Sequence, residues 1–249
     1  MSDNDGPLGT SLLRLEDGPL LRGTARFIDD LKPSGCLHVA LLRSPLASAR
    51  IRSVDLEAAR RAPGVVAAYA APDLAGRCSP LLVHLTTPGA LTPDRPILAE
   101  GRVRFAGEVV AAVVADTRYR AEDALEAVEL DLEPLPVVGT FEEAMADGAP
   151  LVHDSVPSNR YFLAHRSFGD VDAAFAQADL VVAGRVTHPR VSAAPMEGRG
   201  VVASPDGSGG VVTWSSTQAP HIVKHAIAEC LGLDDARVRV VSPDVGGGF

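Results

Sequence analysis

The apolar residues of this chain are distributed in short blocks, and this distribution constrains the fold more than any other feature of the sequence. The longest uninterrupted block, Val109 to Ala115, has the length of a buried β-strand. No block approaches the roughly 18 apolar residues that a membrane-spanning helix needs. Other segments place apolar residues at helical spacing, as at Ala121, Ala124 and Val128. We therefore predict an α+β (mixed α/β) fold with no membrane span.

Local patterns predict the order of the elements. Several helices are expected to begin after a capping residue, namely Asp55, Asp116 or Thr117, and Asp170. Segment 148–162 lacks a repeating pattern and contains two prolines, which is typical of a linker. The predicted strands are 36–43, 49–54, 65–70, 108–115, 129–133, 180–188, 200–204, 211–215 and 238–241, and the predicted helices are 56–62, 117–128, 141–146, 171–178 and 219–231.

The charge and the cysteine content exclude several classes of function. The formal net charge is -9 and the basic residues are scattered, whereas nucleic-acid binding needs a concentrated basic face. Cys36, Cys78 and Cys230 are too far apart for an iron–sulfur or CxxC metal site. Such sparse cysteines indicate a reducing compartment, and the acidic N terminus carries no secretory signal. We predict a cytoplasmic protein that does not bind nucleic acid.

A run of three glycines, Gly246-Gly247-Gly248, follows a predicted strand and precedes Phe249. Glycines leave backbone N–H groups unshielded and permit positive φ, so this turn can form a nest for anionic groups. An ordinary tight turn is the alternative interpretation. The GxxxxGK[ST] pattern of nucleoside triphosphate-binding loops is absent.

Two further residues carry candidate chemistry. Gln218 follows a strand end, where its side-chain amide can donate to a ligand oxygen, although the residue taken alone favours a solvent-facing helix N terminus. Glu197 lies among small apolar residues near Arg199, which suits either a structural salt bridge or a catalytic carboxylate. His221 and His225 are one helical turn apart, but the glutamate of the HExxH zinc motif is missing, so no metal site is predicted there.

The order of the motifs is more informative than any one of them. From the N terminus they are GTARFIDD (23–30), RSP (43–45), ARI (49–51), PGV (63–65), VRFAGEV (103–109), AEDA (121–124), EPLP (133–136), GDVDAAF (169–175), APME (194–197), STQ (216–218) and DVGGGF (244–249). With this co-linear set, the chain resembles the xanthine dehydrogenase, aldehyde oxidase and carbon monoxide dehydrogenase family of molybdenum hydroxylases. The resemblance covers nearly everything from about residue 20 onward.

The resemblance implies two domains. Residues 21–138 are expected to form the small α/β hammerhead domain of the family's large subunit, and residues 139–160 a linker. Residues 161–249 are expected to form the first, incomplete part of its molybdopterin-binding domain. Residues 1–20 are polar and rich in glycine and proline, and we predict a flexible leader.

The resemblance also implies a function and a cofactor. The chain is expected to be a component of an oxidoreductase that hydroxylates aldehydes or N-heterocycles or oxidises carbon monoxide. The cofactor is a molybdenum–pterin, either molybdopterin or its cytosine dinucleotide. Gln218 matches a glutamine that hydrogen-bonds an oxo ligand of molybdenum, and Gly246 to Phe249 match a turn that approaches the metal and the pterin. Glu197 matches a position near the substrate channel, and we predict Gln218 and Glu197 as the catalytic pair, with no direct metal ligand.

Partners follow from the same resemblance. They are the remainder of the large subunit, as a separate chain or a missing segment, an FAD subunit, a [2Fe-2S] subunit and a small-molecule substrate of undetermined identity. The family's base glutamate lies beyond the matched region, so this chain is expected to be inactive alone, with apolar surface exposed in its second half. The alternative is a non-catalytic truncated fragment or an interaction or assembly module.

Overall fold

A computed structural model of the chain describes residues 9–82 and 87–249, along which short strands alternate with short helices. Two single 3-10 turns, Ile28–Asp30 and Asp235–Arg237, complete the regular structure of this described part. The helices are α1 (Asp17–Leu21), α2 (Glu57–Arg60), α3 (Ala71–Leu74), α4 (Arg118–Leu125), α5 (Phe141–Met145), α6 (Val171–Gln177) and α7 (Pro220–Leu231), and the strands are β1 (His38–Arg43), β2 (Ala49–Asp55), β3 (Val65–Ala70), β4 (Arg102–Val103), β5 (Val109–Ala115), β6 (Glu129–Pro134), β7 (Val201–Pro205), β8 (Val211–Ser215) and β9 (Val238–Val241).

The chain divides into two units, and each unit combines stretches that are separate in the sequence. One unit joins the segment that ends at residue 34 to residues 193–228 and 233–249. We call it the turn unit, because it contains the glycine run. The other unit consists of residues 35–192 and 229–232, and we call it the hammerhead unit after the domain expected there.

Two antiparallel sheets form the frame of the hammerhead unit. Strand β5 lies between β1 and β3, and β2 lies between β4 and β6. Strand β5 is the central strand of its sheet because it is apolar throughout, and four of its seven residues are buried. A strand that is flanked on both edges satisfies its backbone groups on both sides, which suits the most apolar segment of the chain.

Alanine dominates the core between this first sheet and two helices. Ala59 of α2 and Ala111 of β5 are fully buried, and Ala124 of α4 is almost so. Small side chains allow helices to approach the sheet closely, so the core reaches protein density without large aromatic residues. This packing agrees with an aromatic content of only 4%. The remaining buried members of the cluster are Leu56, Ala68, Ala70 and Val113.

Most of the predicted elements are confirmed, with ends shifted by a few residues. The Thr117 hydroxyl accepts a hydrogen bond from the Arg120 amide and so begins α4. Asp170 caps α6 in the same way through the Ala173 amide, with the two atoms 2.9 Å apart. These caps satisfy amide groups that have no partner in the first helical turn.

The strand predicted over 180–188 is wrong, because the structure has no regular element there. Alternation of apolar and polar residues predicts a strand that is buried on one face. Leu180, Val182 and Val186 are instead 78%, 82% and 80% exposed, and no described strand pairs with them. Exposed apolar side chains recur through residues 162–191, which we call the exposed apolar segment. The others are Phe162, Leu163, Phe168, Val171, Phe175, Val181 and Val191.

The turn unit contains a three-stranded sheet. Strands β7 and β8 form the predicted hairpin, and β9 adds to β8 in parallel after the chain has passed through α7. Asp206 fixes the hairpin turn, because its carboxylate accepts hydrogen bonds from the amides of Ser208 and Gly210, both at 2.8 Å. These hydrogen bonds, with one from the Ser208 hydroxyl, hold the pKa of Asp206 below its usual value.

The three cysteines are free thiols. Burial raises the pKa of Cys230, with a smaller contribution from Cys78, so the reactive thiolate form is disfavoured there. Across residues 9–82 and 87–249, none of the helices is both long enough and apolar enough to cross a membrane.

Candidate functional site

The predicted site residues of the turn unit come from the ends of two neighbouring parallel strands. Parallel strands end at the same edge of a sheet, so the segments that follow β8 and β9 are brought together. Gln218 follows β8, and the glycine run follows β9. The hydroxyl of Ser242 donates a hydrogen bond to the carbonyl of Thr217, which ties the two segments together just beyond the sheet.

Gln218 and the glycine run are in contact. A β-carbon placed on Gly248 would lie 3.0 Å from Cβ and 3.2 Å from Oε1 of Gln218. Such separations are tighter than normal carbon contacts, so the absence of a side chain at Gly248 permits this approach. The structure therefore brings together Gln218 and the turn, which are 28 or more residues apart in the sequence and were predicted to belong to one site.

Glycine is required at the two preceding positions as well. Gly247 has a φ of 144°, a region that side-chain-bearing residues rarely adopt, and a β-carbon there would lie 2.5 Å from Cβ of Pro195. A β-carbon on Gly246 would overlap Cβ of Glu197. The turn therefore packs directly on residues 195–197, and the APME segment supports the turn.

Glu197 contacts backbone groups from two directions. Its Oε2 accepts a hydrogen bond from the Gly246 amide at 2.7 Å, and its Oε1 accepts one from the Ile28 amide at 3.1 Å. Among the described residues, no salt bridge joins Glu197 to Arg199, which was one of the two alternatives for this carboxylate. Both carboxylate oxygens are thus engaged by the main chain.

A second acidic side chain makes a similar contact nearby. Asp244 Oδ2 accepts a hydrogen bond from the Arg26 amide at 2.7 Å, and the Asp244 amide donates to the Arg26 carbonyl at 3.2 Å. Sequence reasoning noted the GTARFIDD segment only as part of the resemblance and did not predict that it contacts the site. No local pattern indicates such a contact, because 218 residues separate its two sides.

Several hydrogen-bond donors at the turn remain available. Within the part of the chain that the structure describes, the amides of Gly247, Gly248 and Phe249 make no hydrogen bond. The side-chain amide of Gln218 is exposed and likewise has no partner among these residues. Three backbone amides and one side-chain amide that make no hydrogen bond suit an anionic, oxygen-rich ligand. The described residues contain no group of three side chains able to hold a metal ion directly.

Two family models match adjoining parts of the chain. Residues 22–136 match the model described as aldehyde oxidase and xanthine dehydrogenase, a/b hammerhead domain. Residues 152–249 match the model described as molybdopterin cofactor-binding domain. These matches confirm the predicted fold class, a hammerhead domain followed by the start of a cofactor-binding domain.

Known proteins are similar along nearly the whole chain. The nicotine 6-hydroxylase large subunit of Paenarthrobacter nicotinovorans is 39% identical over 97% of this chain and 30% of its own length. The carbon monoxide dehydrogenase large chain of Hydrogenophaga pseudoflava is 36% identical over 94% of this chain and 30% of its own length. The chain therefore spans slightly less than a third of these relatives.

A solved structure agrees with the sequence comparisons. The crystal structure of quinoline 2-oxidoreductase from Pseudomonas putida 86 superimposes with a TM-score of 0.89 and 40% identity. The match covers 97% of this chain and 31% of that one.

Proposed function

This chain belongs to the molybdenum hydroxylase family, as the N-terminal part of a large molybdopterin-binding subunit, and we propose that it forms one side of a molybdenum–pterin site. The main support for this proposal is the contact of Gln218 with Gly248. Beside that contact, the amides of residues 247–249 make no hydrogen bond to a described residue. The donor set fits the cofactor, because the oxygen and sulfur groups around molybdenum in a pterin complex carry negative charge. The same residues would be poorly matched to a cation.

The roles of the residues follow from this arrangement. When bound, the molybdenum–pterin supplies two-electron oxidation chemistry, which protein side chains do not provide. Gln218 would donate a hydrogen bond from its side-chain amide to an oxygen acceptor of the cofactor, and the amides of Gly247, Gly248 and Phe249 would orient it. Fixed dipoles of this kind stabilise developing negative charge without reorganising. No residue of this chain is proposed to bind the metal directly.

For the substrate class and the form of the cofactor, we propose the range that is found across the family. We propose hydroxylation of an aldehyde or N-heterocycle, or oxidation of carbon monoxide, with either molybdopterin or its cytosine dinucleotide. Relatives named for nicotine, carbon monoxide and quinoline support this range. The free, sparse cysteines support a cytoplasmic location.

Partners are supported by the exposed apolar segment. Its large side chains, such as Phe168 at 98% exposure, are not covered by any described residue. Contiguous exposed apolar surface usually marks an interface. We propose that the remainder of a large subunit covers this surface, and that subunits carrying FAD and [2Fe-2S] complete the electron path. A relative named as the gamma subunit of a dehydrogenase complex supports a multi-subunit assembly.

Replacing Gln218 tests the proposed function. In the complete enzyme, Gln218→Ala is expected to lower the turnover number by about 100-fold, the usual effect of removing one preorganised donor. Bound molybdenum and pterin, measured by elemental analysis and fluorescence of the released pterin, are expected to stay within about twofold of the wild-type content, because the backbone donors remain.

The matched control is Gln177→Ala, because Gln177 is exposed on α6 and lies outside the turn unit. This variant is expected to keep wild-type turnover. Equal turnover in the two variants, or a wild-type complex without molybdenum, would count against the proposal. The second outcome would favour the interaction or assembly module.

A further inference from the structure

We propose that Glu197 is a positioning residue, which holds the glycine turn in place by joining it to the GTARFIDD segment. This inference rests on the proposed function, since the turn is assigned there to the cofactor. It changes the role that the sequence resemblance predicted for Glu197, from a catalytic carboxylate to a support for the donors.

The proposal rests on the two hydrogen bonds that the Glu197 carboxylate accepts. One oxygen accepts from Gly246 and the other from Ile28, at 2.7 and 3.1 Å. A carboxylate is the only side-chain group with two equivalent acceptor oxygens, so one residue can bind two backbone amides at once. Hydrogen bonds to a charged acceptor are also stronger than those between neutral groups.

Packing around Glu197 leaves little freedom for the turn to move. Gly246 contacts the carbon chain of Glu197 so closely that a β-carbon on the glycine would overlap it. On the other side, a β-carbon on Gly200 would lie 2.6 Å from Cγ2 of Ile28. Ile28 is itself buried, with 5% of its surface exposed, so the segment that donates to Glu197 is anchored in a core.

Asp244 makes a second, independent connection between the same two segments. Its side chain and its amide both bond to Arg26, two residues before Ile28. The GTARFIDD segment is therefore attached to the glycine turn at residue 244 directly and at residue 246 through Glu197. Two connections fix the direction of the turn as well as its position, which orients the amides of Gly247, Gly248 and Phe249.

The arrangement also explains why the amide of Gly246 differs from its neighbours. That amide is occupied by Glu197, whereas the next three amides have no described acceptor. Glu197 thus binds the first donor of the run and leaves the rest for a ligand.

Hydrogen–deuterium exchange in the complete enzyme tests the proposal. In Glu197→Gln, one oxygen is replaced by an NH2 group that faces an N–H donor. We expect exchange to become about 10- to 100-fold faster in the peptides covering 26–28 and 244–249 together. The matched control is Glu126→Gln, an exposed glutamate at the end of α4, which is expected to change neither peptide. Asp244→Ala provides a second variant, which removes the acceptor of the Arg26 amide, and faster exchange is expected in the same two peptides.

A spectroscopic measurement separates positioning from general stability. The electron paramagnetic resonance spectrum of molybdenum is expected to shift in Glu197→Gln and to stay unchanged in Glu126→Gln. Unchanged exchange in both peptides, or faster exchange with an unchanged molybdenum spectrum, would overturn the positioning role. A complex that contains no molybdenum would instead refute the proposed function, while the exchange rates would still decide whether Glu197 joins the two segments.

Discussion

Gly247→Ala is expected to release the molybdenum–pterin cofactor from the complete enzyme. The backbone of Gly247 has a φ of 144°, and an added β-carbon would lie 2.5 Å from Cβ of Pro195. Strain and overlap each cost about 1 to 3 kcal/mol, so the turn is expected to adopt another conformation. Misplaced amides no longer converge on the cofactor, and the content of molybdenum and pterin should fall at least about tenfold.

Gly207→Ala controls for the general effect of alanine at a glycine with positive φ. Gly207 lies in the β7–β8 hairpin with a φ of 79°, and a β-carbon there would meet no atom within 4 Å. The cost of about 1 to 2 kcal/mol therefore reflects backbone strain alone. We expect this variant to keep its molybdenum. Equal retention of the metal in both variants would show that the turn does not hold the cofactor.

Ala111→Leu is expected to have the largest effect on the stability of the hammerhead unit. Ala111 is fully buried in β5, in the alanine-rich core that also contains Ala59 and Ala124. Three added carbon atoms have no space in this core, so the sheet or the helices must move apart. The free energy of unfolding is expected to fall by about 3 kcal/mol, as measured by urea denaturation followed by circular dichroism.

The adjacent position provides the matched control. Ala112 points to the other face of β5 and is partly exposed, so Ala112→Leu makes the same chemical change without overpacking. We expect its free energy of unfolding to stay within about 0.5 kcal/mol of the wild type. A similar loss in both variants would mean that the alanines of this core are not closely packed.

The sequence predicts those parts of the fold whose causes are local. Strand β5 is an apolar run of strand length, and α4 and α6 begin at side chains that cap their own first turns. Segment 180–188 shows the limit of this reasoning. Its alternation is equally local, but a strand also needs a neighbour for its backbone hydrogen bonds, and no described segment supplies one.

The candidate site could be predicted in part for the same reason. Gln218 and the glycine run each follow a strand, and the co-linear motifs indicated that both belong to one site. The connection from Ile28 through Glu197 to Gly246 could not be predicted, because its hydrogen bonds span 169 and 49 residues. Ile28 and Gly246 donate to Glu197 through their backbone amides. Every residue except proline has such an amide, so the residue types do not indicate these contacts.

Gln218 and the turn are proposed to form one side of a molybdenum–pterin site. A structure of the complete enzyme with its cofactor bound tests it most directly. We predict that the side-chain nitrogen of Gln218 and at least one amide of Gly247, Gly248 or Phe249 lie within hydrogen-bond distance of the cofactor. A bound cofactor that contacts neither Gln218 nor the turn would contradict this assignment.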